Sequence, residues 1–402
     1  MDDLVAEGPA LNPDQLAGFT VVLTSDRRSE EFAASFARRG ATALRAPTLR
    51  IMPLVEDVDL HAATLRIIDA PPDAVVVTTG IGLRGWVEAA DAFGLAPDLL
   101  RVLGRARLLA RGPKARGAIR AAGLAEDWAA TSETTAEVVD RLLADGVAGR
   151  RVVLQLHGLP DRESAQRLVD AGAVLDTVQV YRWAPSPDPA AVGRAIDAVC
   201  ARTVDAVVFT SAPGSQAFLD AARSAGRWTE VVRALAEDVT AAAVGPMTAA
   251  PLREAGVEPL VPDRYRLGAL VRVVAEHLAE ARVRDVSTAG GLLHVRGQTA
   301  MLDGRPLGLS PAPMAMLRAL SRHPGQVLSR DRLLAALPGA EDPHAVEVAI
   351  ARVRSALAAP GVVETVIKRG YRLAVLDERP VSASPGWLGG HCRDGAEPPS
   401  AG

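Results

Sequence analysis

Residues 73–80 read Asp-Ala-Val-Val-Val-Thr-Thr-Gly, and residues 205–212 read Asp-Ala-Val-Val-Phe-Thr-Ser-Ala. Two more pairs of segments recur at nearly the same spacing and in the same order. Ala110-Arg-Gly-Pro-Lys-Ala115 is echoed by Ala243-Val-Gly-Pro-Met-Thr248, and Val21-Val-Leu23 through Gly40 is echoed by Val152-Val-Leu154 through Gly172. Such ordered self-similarity marks an internal duplication. Each repeated segment opens with a short β-branched apolar run, passes through Thr, Ser or Gly, and continues with helical periodicity that closes on Gly. A continuous apolar run suits a strand buried on both faces, and alternation with helices implies parallel βαβ units. The chain up to about residue 282 is therefore expected to form two similar α/β lobes.

In open parallel sheets, ligands sit beyond the carboxyl ends of the strands, where helix N-termini present free N–H groups. Thr78-Thr79-Gly80, Ser211-Ala-Pro-Gly214 and Gly245-Pro-Met-Thr248 all fall there. Small hydroxyl and glycine residues allow close backbone approach to an anion, although such turns also favour Ser and Thr simply as helix caps. Thr78, Thr79, Arg111, Lys114, Ser211, Gly245 and Thr248 are the candidate ligand-binding residues, with Arg182 expected to converge on them. The predicted ligand is anionic. His157, at the end of the run from Val152, is a further candidate to pair a carboxylate, or equally a turn histidine satisfied locally.

Composition narrows the class. The 402 residues suffice for two or three domains, and no apolar run approaches the roughly 20 residues of a membrane-spanning helix. The acidic start, Met1 to Gln15, lacks the pattern of a secretory signal, so a cytoplasmic protein is expected. The two cysteines, Cys200 and Cys392, form no CxxC pair, which argues against a disulfide framework and a structural zinc site. No metal and no cofactor is expected, and Cys200 reads as core.

Beyond residue 280 the pattern changes. Val286 to Gly291 reads as a linker (283–291), followed by short alternating strands at 292–295 and 299–301 around an Asp303-Gly304 hairpin turn. Ser310 and Pro311 open a helix that Pro324-Gly325 closes. Ser329 caps a second helix, Arg330 to Leu337. A third, about His344 to Leu357, carries Val346, Ile350, Val353 and Leu357 as its buried stripe. A β-ribbon from Glu364 to Leu373 follows, and a Pro-, Gly- and Ser-rich tail (381–402) is expected to be disordered. The whole chain carries a formal charge of −3, yet residues 284–380 hold thirteen Lys and Arg against nine Asp and Glu. Basic charge concentrated in one domain is an electrostatic footprint for nucleic acid.

The stretch from Leu302 through the HPG breaker, the LSR helix start, Val346-x-x-x-Ile350-x-x-Val353-Arg354 and Gly370-Tyr-Arg-Leu373 resembles the winged-helix effector domain of OmpR/PhoB-type regulators. The resemblance implies a domain at 292–376 whose third helix enters the DNA major groove while the wing meets backbone or minor groove. Carried over by position, His344, Arg352 and Arg354 are the recognition-helix candidates, and Lys368 and Arg369 the wing candidates. Ala349 stands where that family commonly has a histidine. Tyr371 is expected in the wing's core. Double-stranded DNA is the implied partner, with a homodimer on direct repeats as the family's common arrangement. The receiver domain that usually precedes such an effector is not found.

The duplicated region resembles uroporphyrinogen-III synthases through the order of its motifs. These are a strand ending near Thr24, Pro47-Thr-Leu-Arg-Ile-Met-Pro53, Thr78-Thr79, Val178-Gln-Val-Tyr-Arg-Trp183, Phe209-Thr-Ser211 and Val244-Gly-Pro-Met-Thr-Ala249. The resemblance implies two flavodoxin-like lobes at 17–282, the first discontinuous (17–46 and 184–282) and the second at 47–183. It implies a tetrapyrrole-like ligand between them, cofactor-free chemistry, and Tyr181 as the catalytic candidate; alone, a tyrosine beside a tryptophan reads as packing. The chain departs from the family at Ser25-Asp26, in place of an arginine turn, and at Ala115, in place of a threonine. With its fused effector domain it looks like the synthase-like regulators associated with nitrate and nitrite assimilation genes in actinobacteria. Two functions follow from these resemblances: a regulator whose synthase-like domain binds an anionic ligand, and an active synthase that also binds DNA.

Overall fold

A computed structural model of the chain describes residues 14–337, 339–340 and 342–376; most of the acidic start and the 381–402 tail lie outside them. Two compact units are present, one built from the chain up to Val283 and one from Arg284 onward, apart from residues 296–299, which group with the first.

The first unit is built on two parallel sheets. In one, the order is Thr240–Ala243, Ala206–Phe209, Thr20–Leu23, Thr42–Arg45. The other runs Trp128–Ala129, Arg107–Ala110, Ala74–Val77, Arg151–Leu156, Val174–Gln179. The repeated apolar runs are the central strands. Val75, Val76, Val207 and Val208 are all fully buried, because helices cover both faces of each sheet. A short antiparallel pair, Leu49–Pro53 with Tyr181–Pro185, carries the chain out of the first lobe and back. The four-stranded sheet is therefore assembled from two separated stretches of sequence.

The repeated aspartate that heads each run has a structural role. Asp205 accepts from the Thr20 amide at 2.8 Å, and Asp73 accepts from the Arg151 amide at 2.7 Å, so each pins the start of the neighbouring parallel strand. Thr79 and Ser211 also correspond: each caps the following helix by accepting from the amide three residues on, Gly82 at 3.1 Å and Gly214 at 3.2 Å.

The second unit holds the sheet Val283–Thr288, Gly291–Arg296, Thr299–Leu302, Arg305–Pro306 in sequence order. The expected linker at 283–291 is thus a strand and a turn. Val286 and Thr288 alternate inward and are buried, and Thr288 Oγ1 closes the turn on the Gly291 carbonyl at 2.7 Å. The hairpin turn falls at Asp303 and Gly304, both with positive φ. Helices Pro311–Ser321, Arg330–Ala335 and His344–Leu357 pack on a core that includes Leu317, Leu333, Val346, Ile350, Val353 and Leu357. The ribbon Val363–Val366 with Gly370–Leu373 completes the winged helix. Gly370 has φ +131°, and a Cβ there would stand 1.9 Å from the Leu328 carbonyl oxygen, which accepts from the Tyr371 amide, so only glycine fits. Tyr371 is buried at the wing's base. Among the described residues no helix is long and apolar enough to cross a membrane.

Candidate ligand site and nucleic-acid interface

The clearest cluster of functional groups lies at the carboxyl end of the five-stranded sheet, in the 47–183 lobe. Thr79 lies two residues beyond one strand, Arg111 directly follows the next, and His157 directly follows a third. Tyr181 begins the connector strand, opposite Pro53, and is almost wholly buried. Its ring stands edge-on to Trp183 at 6.1 Å, and the Trp183 Nε1 donates to the His157 carbonyl at 3.2 Å. Gly158, at φ +90°, lies so close beneath both rings that a Cβ would come within 2.6 Å of each. The glycine is what lets the connector aromatics close over the end of the sheet.

Electrostatics tie the cluster together. Burial pushes the Tyr181 phenol up, against the opposing pull of a hydrogen bond with Thr79 and of the Arg111 charge, so the phenol holds its proton at neutral pH. Burial pulls the Arg111 guanidinium down, while Tyr181, Glu133 and Asp161 act to raise it; it stays charged. His157 is held below the ordinary imidazole value by burial and then by Arg111, with Asp161 opposing. No side chain among the described residues forms a direct hydrogen bond or ion pair with the Arg111 guanidinium. His157 Nδ1 and Gln155 Oε1 are buried without partners, although Gln155 Nε2 reaches Thr79 Oγ1 at 3.2 Å.

The structure thus brings together Thr79, Arg111, His157 and Tyr181, and adds Gln155, Glu133 and Asp161. Lys114 is exposed at the first turn of the helix Pro113–Ala121, whose backbone packs on Gly80. The other expected residues take structural parts. Thr78 is buried and donates to the Gln155 carbonyl at 2.8 Å. Thr248 is buried, and its carbonyl accepts from Ser215 at 2.9 Å. Ser211 is a cap, and Gly245 is covered by the Tyr265 ring. Arg182 does not converge on the cluster. Strand alternation puts it on the face opposite Tyr181, exposed and paired with Asp57 at 3.5 Å.

In the winged helix, His344 and Arg352 are exposed on the third helix, and Lys368 and Arg369 are exposed at the turn of the ribbon, beside Ile367, which is 82% accessible. Lys368 adopts φ +60° there. Arg354 is committed elsewhere. Its Nε donates to the Val363 carbonyl at 2.9 Å and its terminal nitrogen to Thr365 Oγ1 at 2.8 Å, tying helix to wing. Ala349 faces the core at 3% exposure, so its difference from the family's histidine falls on a buried position. The helix face bearing His344 and Arg352 also carries Val348, Ala351 and Ser355. Counting i+4, i+7 and i+11 from His344 would have found them.

Residues 30–272 match the family described as uroporphyrinogen-III synthase HemD, and residues 304–373 match the C-terminal domain of transcriptional regulatory proteins. An uncharacterized Bacillus subtilis (strain 168) protein, YjjA, is 29% identical over 269 residues, spanning 66% of this chain and 98% of YjjA. A uroporphyrinogen III synthase mutant from the extremely thermophilic bacterium Thermus thermophilus, solved by crystallography, superposes with a TM-score of 0.55 at 30% identity, covering 66% of this chain and 99% of that one. The Escherichia coli (strain K12) regulator of the TorCAD operon, TorR, is 41% identical over 90 residues, which is 21% of this chain and 39% of TorR. The chain belongs to the uroporphyrinogen-III synthase family, with an OmpR/PhoB-type DNA-binding domain fused behind the synthase-like lobes.

Proposed function

We propose that the chain is a DNA-binding transcriptional regulator whose synthase-like domain takes an anionic, tetrapyrrole-like ligand. The observation that carries this reading is the winged helix with His344 and Arg352 exposed on one helix face and Lys368 and Arg369 exposed on the wing. In this reading Arg352 meets a base edge or phosphate and the wing pair holds backbone, which their exposure supports. Binding to an operator as a homodimer in the cytoplasm fits the domain type, and the promoters of nitrate and nitrite assimilation genes are the first operators to test. Footprinting with the Arg352→Ala, Arg369→Ala double variant is the direct experiment. Protection should be lost near physiological salt, with the salt slope reduced by about two. An unaltered footprint would refute the reading.

Tyr181 favours a second reading, an active synthase that closes hydroxymethylbilane to uroporphyrinogen III with loss of water. A phenol kept protonated beside a guanidinium can donate to a departing hydroxide. A coupled assay separating the type III product from the spontaneously formed type I isomer tests it. Type III formation lost in Tyr181→Phe would support catalysis; type I alone would leave the lobes as a sensor.

A further inference from the structure

The duplication allows the two lobes to be compared position by position at the ends of their sheets. Arg111 corresponds to Val244, Lys114 to Met247, and His157 to Asp26. The same turn is therefore built in the first lobe with an apolar residue where the second lobe has a guanidinium. Fold geometry does not demand Arg111. The first lobe's nearby cations, Arg27 and Arg28, are exposed, and Arg28 is ion-paired with Glu31 at 2.7 Å. A half-buried guanidinium without a direct partner costs stability that the fold could avoid with valine. Close enough to feel its charge, His157 Nδ1 is buried without a partner. Groups left unsatisfied inside a protein call for an explanation, and a ligand supplies one.

We propose that the 47–183 lobe alone holds the ligand's anionic group, a carboxylate or small oxyanion received by the Arg111 guanidinium with His157 alongside. This rests on the ligand-binding part of the reading above and goes further by assigning the charge to one lobe. Arg111 supplies a planar fork suited to two oxygens. His157 Nδ1, when it carries a proton, gives a second donor. Glu133 and Asp161, which flank Arg111 without bonding to it, can accept N–H donors from the same ligand. Lys114, exposed at the adjacent helix start, adds attraction at the entrance.

The test is calorimetric titration of the full chain with uroporphyrin III, sodium nitrate and inorganic phosphate. Heat with uroporphyrin alone identifies a carboxylate, and heat with nitrate or phosphate a free oxyanion. Arg111→Val, which installs the residue of the other lobe, should weaken binding at least tenfold, Arg111→Lys should recover part of it, and Met247→Ala should leave it unchanged. The ligand-free Arg111→Val protein should melt about 2–4 °C higher, since an unpaired charge has been removed. Equal affinity in wild type and a folded Arg111→Val protein would overturn the one-lobe assignment while leaving ligand binding intact. No heat with any probe in the wild type would overturn both. A lower melting temperature in Arg111→Val would show that the guanidinium serves the fold and overturn the proposal.

Discussion

The two lobes of the first unit share their hydrogen bonds but not their charge. Asp73 and Asp205 pin neighbouring strands in the same way, and Thr79 and Ser211 cap corresponding helices. At the open ends of the sheets the correspondence fails: Arg111, Lys114 and His157 stand against Val244, Met247 and Asp26 across the repeat. Duplication acts as an internal control. What both copies keep is required by the βα turn, and what only one copy has must be explained by something other than the fold.

Four measurements can break or sharpen that division. Asp205→Ala should be the most damaging, costing about 3 kcal/mol in chemical denaturation, because the carboxylate is 2% exposed and its removal leaves the half-buried Thr20 amide and Gln298 side chain without their acceptor. Asp73→Ala, at an exposed strand start, should cost about 1 kcal/mol; equal losses would mean that burial does not govern the motif. Gly158→Ala should cost about 2 kcal/mol, from its left-handed backbone and the Trp183 and Tyr181 rings, whereas Arg27, its counterpart, should accept alanine within about 0.5 kcal/mol. Thr79→Ala and Ser211→Ala should each cost about 1 kcal/mol as lost caps, yet only the first should weaken ligand binding. The smallest effect concerns pH. His157 in one lobe and His277 in the other are both held below the ordinary imidazole value, first by burial, with Arg111 and Asp161 acting on the one and Arg282 and Glu280 on the other. The unfolded chain takes up protons that the folded chain refuses, so stability is full above the ordinary value and declines as pH falls from it through the folded values. His157→Gln should flatten that decline in thermal melts at a series of pH values; an unchanged slope would assign it elsewhere.

The lobes and the winged helix were legible because their signals are local: β-branched runs, capped helix starts, a buried stripe at helical spacing. Arg111 stands directly after a strand end, a local signal, whereas Tyr181 entered only through the family resemblance, since alone it reads as packing. What escaped depends on direction and distance. Arg182 was misplaced because its neighbour, one residue away on a strand, takes the inward face. Arg354 looked like a DNA contact until its guanidinium was seen bound to Val363 and Thr365, residues on the following ribbon. The span 283–291 read as a linker because its Ser, Thr and Gly content masked an inward alternation at Val286 and Thr288. Glu133 and Asp161 carry no motif; loops far apart in sequence bring them near Arg111.

The discontinuous first lobe also sets an order of assembly. The strand Thr20–Leu23 emerges early in synthesis, but one of its partners, Ala206–Phe209, pairs with it across some 185 residues. At about 5–20 residues per second, roughly 10–40 seconds pass before that partner is made. During this interval the lobe between them, encoded without interruption, has everything it needs to fold. The nascent chain therefore finishes its insert while an apolar strand, Val21-Val22-Leu23, paired on one side with Thr42–Arg45, waits with its other edge open on the ribosome. Slow elongation through 47–183 prolongs that exposure, and a chaperone that shields extended apolar segments has its natural client here.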